Sequence, residues 1–132
     1  MKKHGILNSD IARVLAQLGH TDSIVIADCG LPIPDHVERI DLALKLGQPS
    51  FVDTLQEILS DMQVERAVFA TECLATNPTV AAQAQAMQSS GISIDFVSHE
   101  EFKQLCHDAK AVIRTGEASP YANIILHSGV IF

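Results

Sequence analysis

Five polar side chains of this sequence are suited to acid–base chemistry on a small polar molecule: His20, Asp28, His99, Tyr121 and Asn123. A histidine with an ordinary pKa of about 6.5 can give or take a proton at neutral pH. Tyrosine and asparagine both donate and accept hydrogen bonds, whereas a carboxylate accepts them. The set therefore fits a polyhydroxylated ligand, which the protein either binds or transforms by proton transfer.

Each of these groups also has a purely structural interpretation. His20 directly follows a predicted helix, where an imidazole also interacts with the last carbonyl groups and the helix dipole. Asp28 is either a loop-capping carboxylate or a group that orients His20 or holds a ligand hydroxyl. His99 begins a predicted helix, where donors point towards a ligand at the sheet edge, and is otherwise a solvated residue. Lys103 shares a helix face with His99, but alone it is a surface lysine.

The polar blocks Arg114–Glu117 and Pro120–Asn123 lie between two apolar runs, 111–113 and 124–126. Two strands separated by a polar segment are a usual place for a binding loop on a rigid scaffold. The alternative is a tight turn that carries a half-buried tyrosine, since Tyr121 is the only tyrosine of the chain.

Several other chemistries have no signature in the sequence. There is no GxGxxG for a dinucleotide, no GxxxxGK[ST] for a nucleoside triphosphate and no GxSxG nucleophile elbow. The histidines never recur at the i, i+4 spacing of a metal site, and the three cysteines form no CxxC pair. We therefore expect no cofactor and no metal, and we interpret the cysteines as core residues in a reducing compartment.

Length and composition predict a single domain over residues 1–132. The chain is 47% apolar, which excludes a disordered protein. Its net charge of −7 and the lack of a basic patch make nucleic acid and anionic membranes poor partners. The uncharged stretch 73–94 contains Pro78 and several glutamines, so it is no membrane span. Because the first ten residues lack the apolar segment of a signal peptide, we expect a cytoplasmic protein.

Local patterns predict strands that alternate with helices. Asn8–Asp10, Ser50, Asn77 and Ser98 are candidate N-caps, and Gly19 and Gly91 are candidate helix stops. The predicted helices cover residues 9–18, 50–62, 78–89 and 99–109, and the predicted strands cover 23–27, 40–45, 66–71, 92–97, 111–113 and 124–126.

This alternation predicts an α/β fold: a three-layer single domain with a largely parallel sheet covered by helices on both faces. In such sheets, ligands bind beyond the carboxyl ends of the strands. Asp28, His99 and the Tyr121–Asn123 segment all fall at strand ends of this kind. We therefore expect these three separated segments to meet at one edge.

Blocks from the whole chain resemble the ribose pyranase and fucose mutarotase family of cytoplasmic bacterial sugar enzymes. These are Gly19-His20, Ile26-Ala27-Asp28, Gly30-Leu31-Pro32, Arg114-Thr115-Gly116-Glu117 and Pro120–Leu126. The resemblance implies a cofactor-free enzyme that interconverts ring forms of free sugars. It also implies pentameric rings, often paired into decamers, with active sites at subunit boundaries.

The same resemblance implies roles for individual residues. His20 matches the family's proton donor, and Asp28, His99, Tyr121 and Asn123 match positions that contact the sugar. Lys103 falls near that site through its helical relation to His99. The Gly30-Leu31-Pro32 spelling is similar to the ribose branch, so D-ribose is the expected substrate. The alternatives are an L-fucose mutarotase, a non-catalytic sugar-binding protein of ribose transport, and a ring-forming scaffold without a ligand.

Overall fold

The computed structural model describes residues 1–132 as one six-stranded sheet with helices on both faces. The helices are α1 (Ser9–Gln17), α2 (Phe51–Asp61), α3 (Cys73–Thr76), α4 (Pro78–Ser89) and α5 (His99–Leu105), which continues as a 3-10 turn over Cys106–Asp108. The strands are β1 (Ser23–Ala27), β2 (Glu38–Asp41), β3 (Val64–Ala70), β4 (Ser93–Val97), β5 (Ala111–Arg114) and β6 (Ile124–Ser128).

The strand order is β2-β5-β1-β6-β3-β4, and β6 is the one strand that runs against the others. It pairs antiparallel with both β1 and β3, whereas β1–β5, β2–β5 and β3–β4 are parallel pairs. The carboxyl ends of five strands therefore share one edge with the start of β6. We call this the carboxyl edge, and the opposite one the amino edge.

The sheet separates two apolar layers, which confirms the predicted three-layer α/β fold. Every residue of β1 is buried, as expected of a central strand. Because side chains alternate along a strand, Ile24 and Ile26 join the larger cluster, which includes α1, α2 and α4, while Val25 and Ala27 join the smaller one beneath α5. None of the helices combines the length and apolar character that crossing a bilayer would require.

The strand predicted at 40–45 is wrong, because β2 covers Glu38–Asp41 instead. The chain turns after Asp41, whose Oδ1 accepts a hydrogen bond from the Ala43 N–H at 3.0 Å. Such a side-chain-to-backbone turn competes with a strand ladder. Leu44, which lies within the strand predicted at 40–45, is 81% exposed.

Two helix predictions also need correction. The helix predicted to reach residue 109 ends at Leu105 and tightens into a 3-10 turn, and the short α3 was not predicted. The first helix ends at Gln17 instead of Leu18, which becomes its C-cap, and Gly19 follows directly, as predicted for a helix stop, although its φ is not positive. Gly91 follows the cap of α4, also as predicted for a stop, and has a φ of 97°.

Candidate functional site

Asp28 and Asn123 form a reciprocal pair at the carboxyl edge. The Asp28 backbone N–H donates to Asn123 Oδ1 at 2.8 Å, and Asn123 Nδ2 donates to Asp28 Oδ2 at 2.9 Å. The Gly30 N–H donates to Asp28 Oδ1 at 2.9 Å. Asn123 is completely buried while Asp28 is partly exposed. The amide therefore fixes the carboxylate, whose remaining lone pairs can accept hydrogen bonds from ligand hydroxyls.

Tyr121 and His99 lie beside one another, with their rings edge to face at a centroid distance of 5.1 Å. Tyr121 has a φ of 57°, which is rare for a bulky residue and costs free energy that functional sites commonly bear. His99 Nδ1 is buried and makes no hydrogen bond within the chain. Because buried polar atoms almost always have a partner, this unpaired nitrogen is a candidate contact for a ligand.

The carboxylate of Glu72, at the end of the loop after β3, fixes the start of α5. Both of its oxygens lie 3.0 Å from the backbone N–H of His99, and Ser98 Oγ caps the same helix through the Glu101 N–H. The hydrogen bond from His99 lowers the pKa of Glu72 below its usual value. Glu72 could not be predicted from local sequence, because its partner lies 27 residues further along the chain.

Asn77 connects α4 to the loop that carries Tyr121. Its Oδ1 accepts from the Val80 N–H, as predicted for an N-cap. Its Nδ2 donates to Ser119 Oγ at 2.9 Å and to the Pro120 carbonyl at 2.8 Å. Asn77 is buried, so it supports the strained tyrosine from below the surface. The sequence predicted Asn77 as an N-cap but not its contacts with Ser119 and Pro120.

The Arg114 side of the polar block holds the loop that follows β1. Arg114 Nη1 lies 3.1 Å from Asp41 Oδ2, and its Nε donates to the Cys29 carbonyl at 3.2 Å. Both the N–H and the hydroxyl of Thr115 donate to the Ala27 carbonyl, at 2.9 and 2.7 Å. These residues are therefore a frame for Asp28.

Glu117 completes that frame. Its carboxylate accepts from the backbone N–H groups of Phe51 and Ser119, both at 3.1 Å, and its carbonyl accepts from the Cys29 N–H at 2.8 Å. Burial alone would raise the pKa of Glu117, but the hydrogen bonds from Phe51 and Ser119 lower it overall. Through these two contacts the Glu117 carboxylate ties α2 to the loop before Tyr121.

Lys103 lies one turn after His99 on α5, and its side chain is partly buried. The ammonium group pairs with Glu100 Oε1 at 2.7 Å. Within the chain, this exposed carboxylate is the ion-pair partner of Lys103.

His20 lies at the amino edge, away from the other candidates. It precedes β1, whereas Asp28 follows it, and a five-residue strand spans roughly 13–17 Å. Within one chain, the suggestion that Asp28 orients His20 is therefore wrong. The His20 ring instead lies beside Glu65, with Nε2 3.0 Å from Oε2. It borders a cavity of about 450 Å³ that the last residues of the chain also line.

The cysteines have no reactive surroundings. Cys73 and Cys106 are fully buried, and burial raises the pKa of Cys73 and raises that of Cys106 to about 12. Since the thiolate is the reactive form, neither residue is suited to act as a nucleophile. Cys29 is partly exposed and is held through its backbone by the frame.

Comparison with known proteins gives relatives over the full chain. The chain is 68% identical to a D-ribose pyranase of Chromobacterium violaceum and 61% identical to one of Exiguobacterium sibiricum, each over all of both chains. The structure of Bacillus subtilis RbsD complexed with D-ribose superposes with a TM-score of 0.96, at 56% identity and full coverage of both chains.

A second relative binds a different sugar. The structure of a fucose mutarotase in complex with L-fucose, from Streptococcus pneumoniae, superposes with a TM-score of 0.77 at 26% identity, and covers 96% of this chain and 95% of that one. The family model described as the RbsD / FucU transport protein family matches residues 1–131. The chain therefore belongs to the RbsD / FucU family.

Proposed function

We propose that this protein is an isomerase that interconverts the pyranose and furanose forms of D-ribose by acid–base catalysis, and so supports ribose utilisation. One observation carries the proposal: the paired Asp28 and Asn123 lie at the same sheet edge as Tyr121 and the unpartnered His99 Nδ1. It is supported by identities of 68% to a D-ribose pyranase and 56% to a relative complexed with D-ribose.

The carboxyl edge is suited to a small sugar. The Asp28 carboxylate accepts hydrogen bonds from sugar hydroxyls, and its tie to Asn123 keeps it in one orientation before the ligand arrives. The Tyr121 ring offers an apolar surface for C–H groups and a hydroxyl that both donates and accepts. His99 contributes Nδ1, and Lys103 contributes a further donor once it is drawn from Glu100.

Ring exchange needs only proton transfers. His20 gives a proton to the ring oxygen as its bond to C1 breaks, and the electron pair of that bond stays on the oxygen. The anomeric hydroxyl loses its proton to a base, for which His99 is our candidate, and becomes the aldehyde. Closure through the 4-hydroxyl reverses both transfers. One placed acid is worth about 10²–10⁴ in rate, so the reaction requires no cofactor.

The site is divided between two copies of the chain. His20 lies at the amino edge and the sugar-binding residues at the carboxyl edge, so one chain cannot bring them together. We infer that His20 of one subunit faces Asp28 of the next. Exposed apolar side chains occur at both edges and suit such a contact: Leu44 and Leu46 near Cys29, and Ile131 and Phe132 near His20.

Contact between unlike edges is heterologous, and a heterologous contact that closes produces a ring. The repeating unit is the single domain 1–132. The family resemblance implies a pentameric ring, and a homodecamer where two rings pair. The fully buried, unpaired Cys73 and Cys106 suit a reducing compartment, and we infer a cytoplasmic location.

An L-fucose mutarotase is the second candidate, because a fucose-binding relative shares the fold at 26% identity. The higher identity of the ribose-bound relative, 56%, favours ribose. A sugar-binding accessory protein is the third candidate and would bind ribose without accelerating exchange.

Exchange NMR on the anomeric protons of D-ribose tests the proposal. We expect the protein to accelerate exchange between pyranose and furanose signals, with a smaller gain on L-fucose. His20→Ala should lose at least about a hundredfold of that gain, since the general acid is absent, while the variant still folds and assembles. Ribose binding without faster exchange would favour the sugar-binding accessory protein. A larger rate gain on L-fucose than on D-ribose would establish the L-fucose mutarotase.

A further inference from the structure

Glu65 is the hydrogen-bond partner of the His20 ring, across 45 residues of sequence. The contact joins Glu65 Oε2 to His20 Nε2 at 3.0 Å. Both side chains are about half exposed, 52% for His20 and 43% for Glu65. Nε2 is thus occupied within the chain, and Nδ1 is the nitrogen that stays free.

A β-bulge directs Glu65 towards the histidine. Val64 pairs with Ser128 and Arg66 with His127, so Glu65 is the extra residue of β3 opposite β6. Bulges of this kind re-aim a side chain and are frequent beside active sites. A regular strand would place the Glu65 side chain elsewhere on the sheet surface.

The histidine is held by a second irregularity. Thr21, directly after His20, has a φ of 70°, a costly conformation for a β-branched residue. Its N–H donates to the Ser128 carbonyl at 2.9 Å, and the Ser128 N–H donates to the Asp22 carbonyl at 2.8 Å. The end of β6 therefore fixes both partners, since Ser128 also pairs with Val64 beside the bulge.

We propose that Glu65 is a positioning residue for His20, and that Nδ1 is the atom that gives the proton to the sugar. This inference rests on the proposed function. Glu65 accepts a hydrogen bond from Nε2–H and turns Nδ1 towards the neighbouring subunit. The imidazolium passes its Nδ1 proton to the ring oxygen, which keeps the electron pair of the breaking C1–O bond. The neutral ring that remains keeps its proton on Nε2, where it is hydrogen-bonded to Glu65.

Glu65 could position His20 through its hydrogen bond or through its charge, and the two explanations predict different effects of substituting Glu65. An exposed ion pair contributes little through charge, so an acceptor atom at this place should matter more than its ionisation. Glu65→Gln keeps an acceptor oxygen, whereas Glu65→Ala removes it. Glu65→Met keeps the side-chain length without an acceptor, and provides the same comparison where alanine weakens assembly.

The experiment measures kcat and KM for ribose exchange by NMR, ribose affinity by calorimetry, and assembly by sedimentation. We expect Glu65→Ala and Glu65→Met to lower kcat about tenfold or more, with ribose affinity within about twofold, because the acid alone is misplaced. Glu65→Gln should stay within about fivefold of the wild type. Glu38→Ala, which removes an ion-paired carboxylate of similar exposure at the same edge, should leave kcat unchanged.

Two results would overturn the inference. Unchanged kcat in Glu65→Ala or Glu65→Met would show that His20 needs no such partner. A fall in kcat matched by lost ribose affinity or lost assembly would give Glu65 a structural role. Failure of the proposed function looks different, because then the wild-type protein itself accelerates nothing and His20→Ala matches it.

Discussion

Asn123 is completely buried, and both polar atoms of its amide bind Asp28. This arrangement needs one donor and one acceptor on the same side chain. A carboxylate at this position can accept from the Asp28 N–H, but it cannot donate to the Asp28 carboxylate. The identity of Asn123 is therefore set by chemistry as well as by size.

Asn123→Asp should lower the free energy of unfolding by about 1–3 kcal/mol, because two carboxylates meet in a buried place without a proton between them. Ribose affinity should fall with it. Chemical denaturation and calorimetry measure the two effects.

The double variant Asp28→Asn with Asn123→Asp is the matched control, because it restores one amide and one carboxylate in exchanged places. We expect it to recover much of the lost stability without recovering ribose affinity. A single variant as stable as the wild type would contradict the assigned pair.

At the scale of elements, Gly116 packs where the frame meets the loop before α2. A Cβ at this position would lie 2.3 Å from the Gln48 carbonyl oxygen and 2.5 Å from that of Lys45. Its N–H donates to the Pro49 carbonyl at 2.9 Å, so neither backbone segment is free to move away. Only glycine, which has no Cβ, fits this close to the backbone of residues 45 and 48.

Gly116→Ala should therefore destabilise the fold by at least about 2 kcal/mol and loosen the loop that carries Asp28. Thermal unfolding tests the first effect, and ribose affinity the second. Gly19→Ala is the control for stability, since its Cβ would meet only Asp22 Oδ2 at an ordinary 3.5 Å, and it should change stability by less than about 0.5 kcal/mol. If Gly116→Ala proved as stable as Gly19→Ala, the close packing of Gly116 against the loop before α2 would be refuted.

The elements and the carboxyl edge could be predicted from the sequence because their signals are local. Caps such as Ser98, and the apolar runs of β1 and β5, act over a few residues, and strand direction then brings Asp28 and His99 to one edge. The sequence also indicates that His20 lies at the opposite edge, because His20 precedes its strand whereas Asp28 and His99 follow theirs.

Other parts of the site could not be predicted, because they depend on contacts between distant segments. Glu65 meets His20 across 45 residues and only through a bulge, which no local pattern marks. Asn77 reaches Pro120 across 43 residues. The sequence left the block that begins at Arg114–Glu117 open between a binding loop and a tight turn, and did not predict that side chains of this block hold the loop after β1.

At the scale of the whole molecule, the proposed site exists only between copies. His20 and Asp28 lie at opposite edges of one sheet, so every subunit of a ring contributes an acid to one neighbour and a sugar-binding surface to the other. The free subunit should therefore be inactive. Activity should appear only with assembly.

Subunit mixing tests this central claim most directly. His20→Ala and Asp28→Asn subunits, each inactive alone, are dissociated together, reassembled in equal amounts and assayed for ribose exchange. Random mixing gives about one quarter of the sites both wild-type groups, so we expect about one quarter of the wild-type rate. The same proteins mixed without dissociation should stay inactive. A reassembled mixture that also stays inactive would contradict a site shared between subunits.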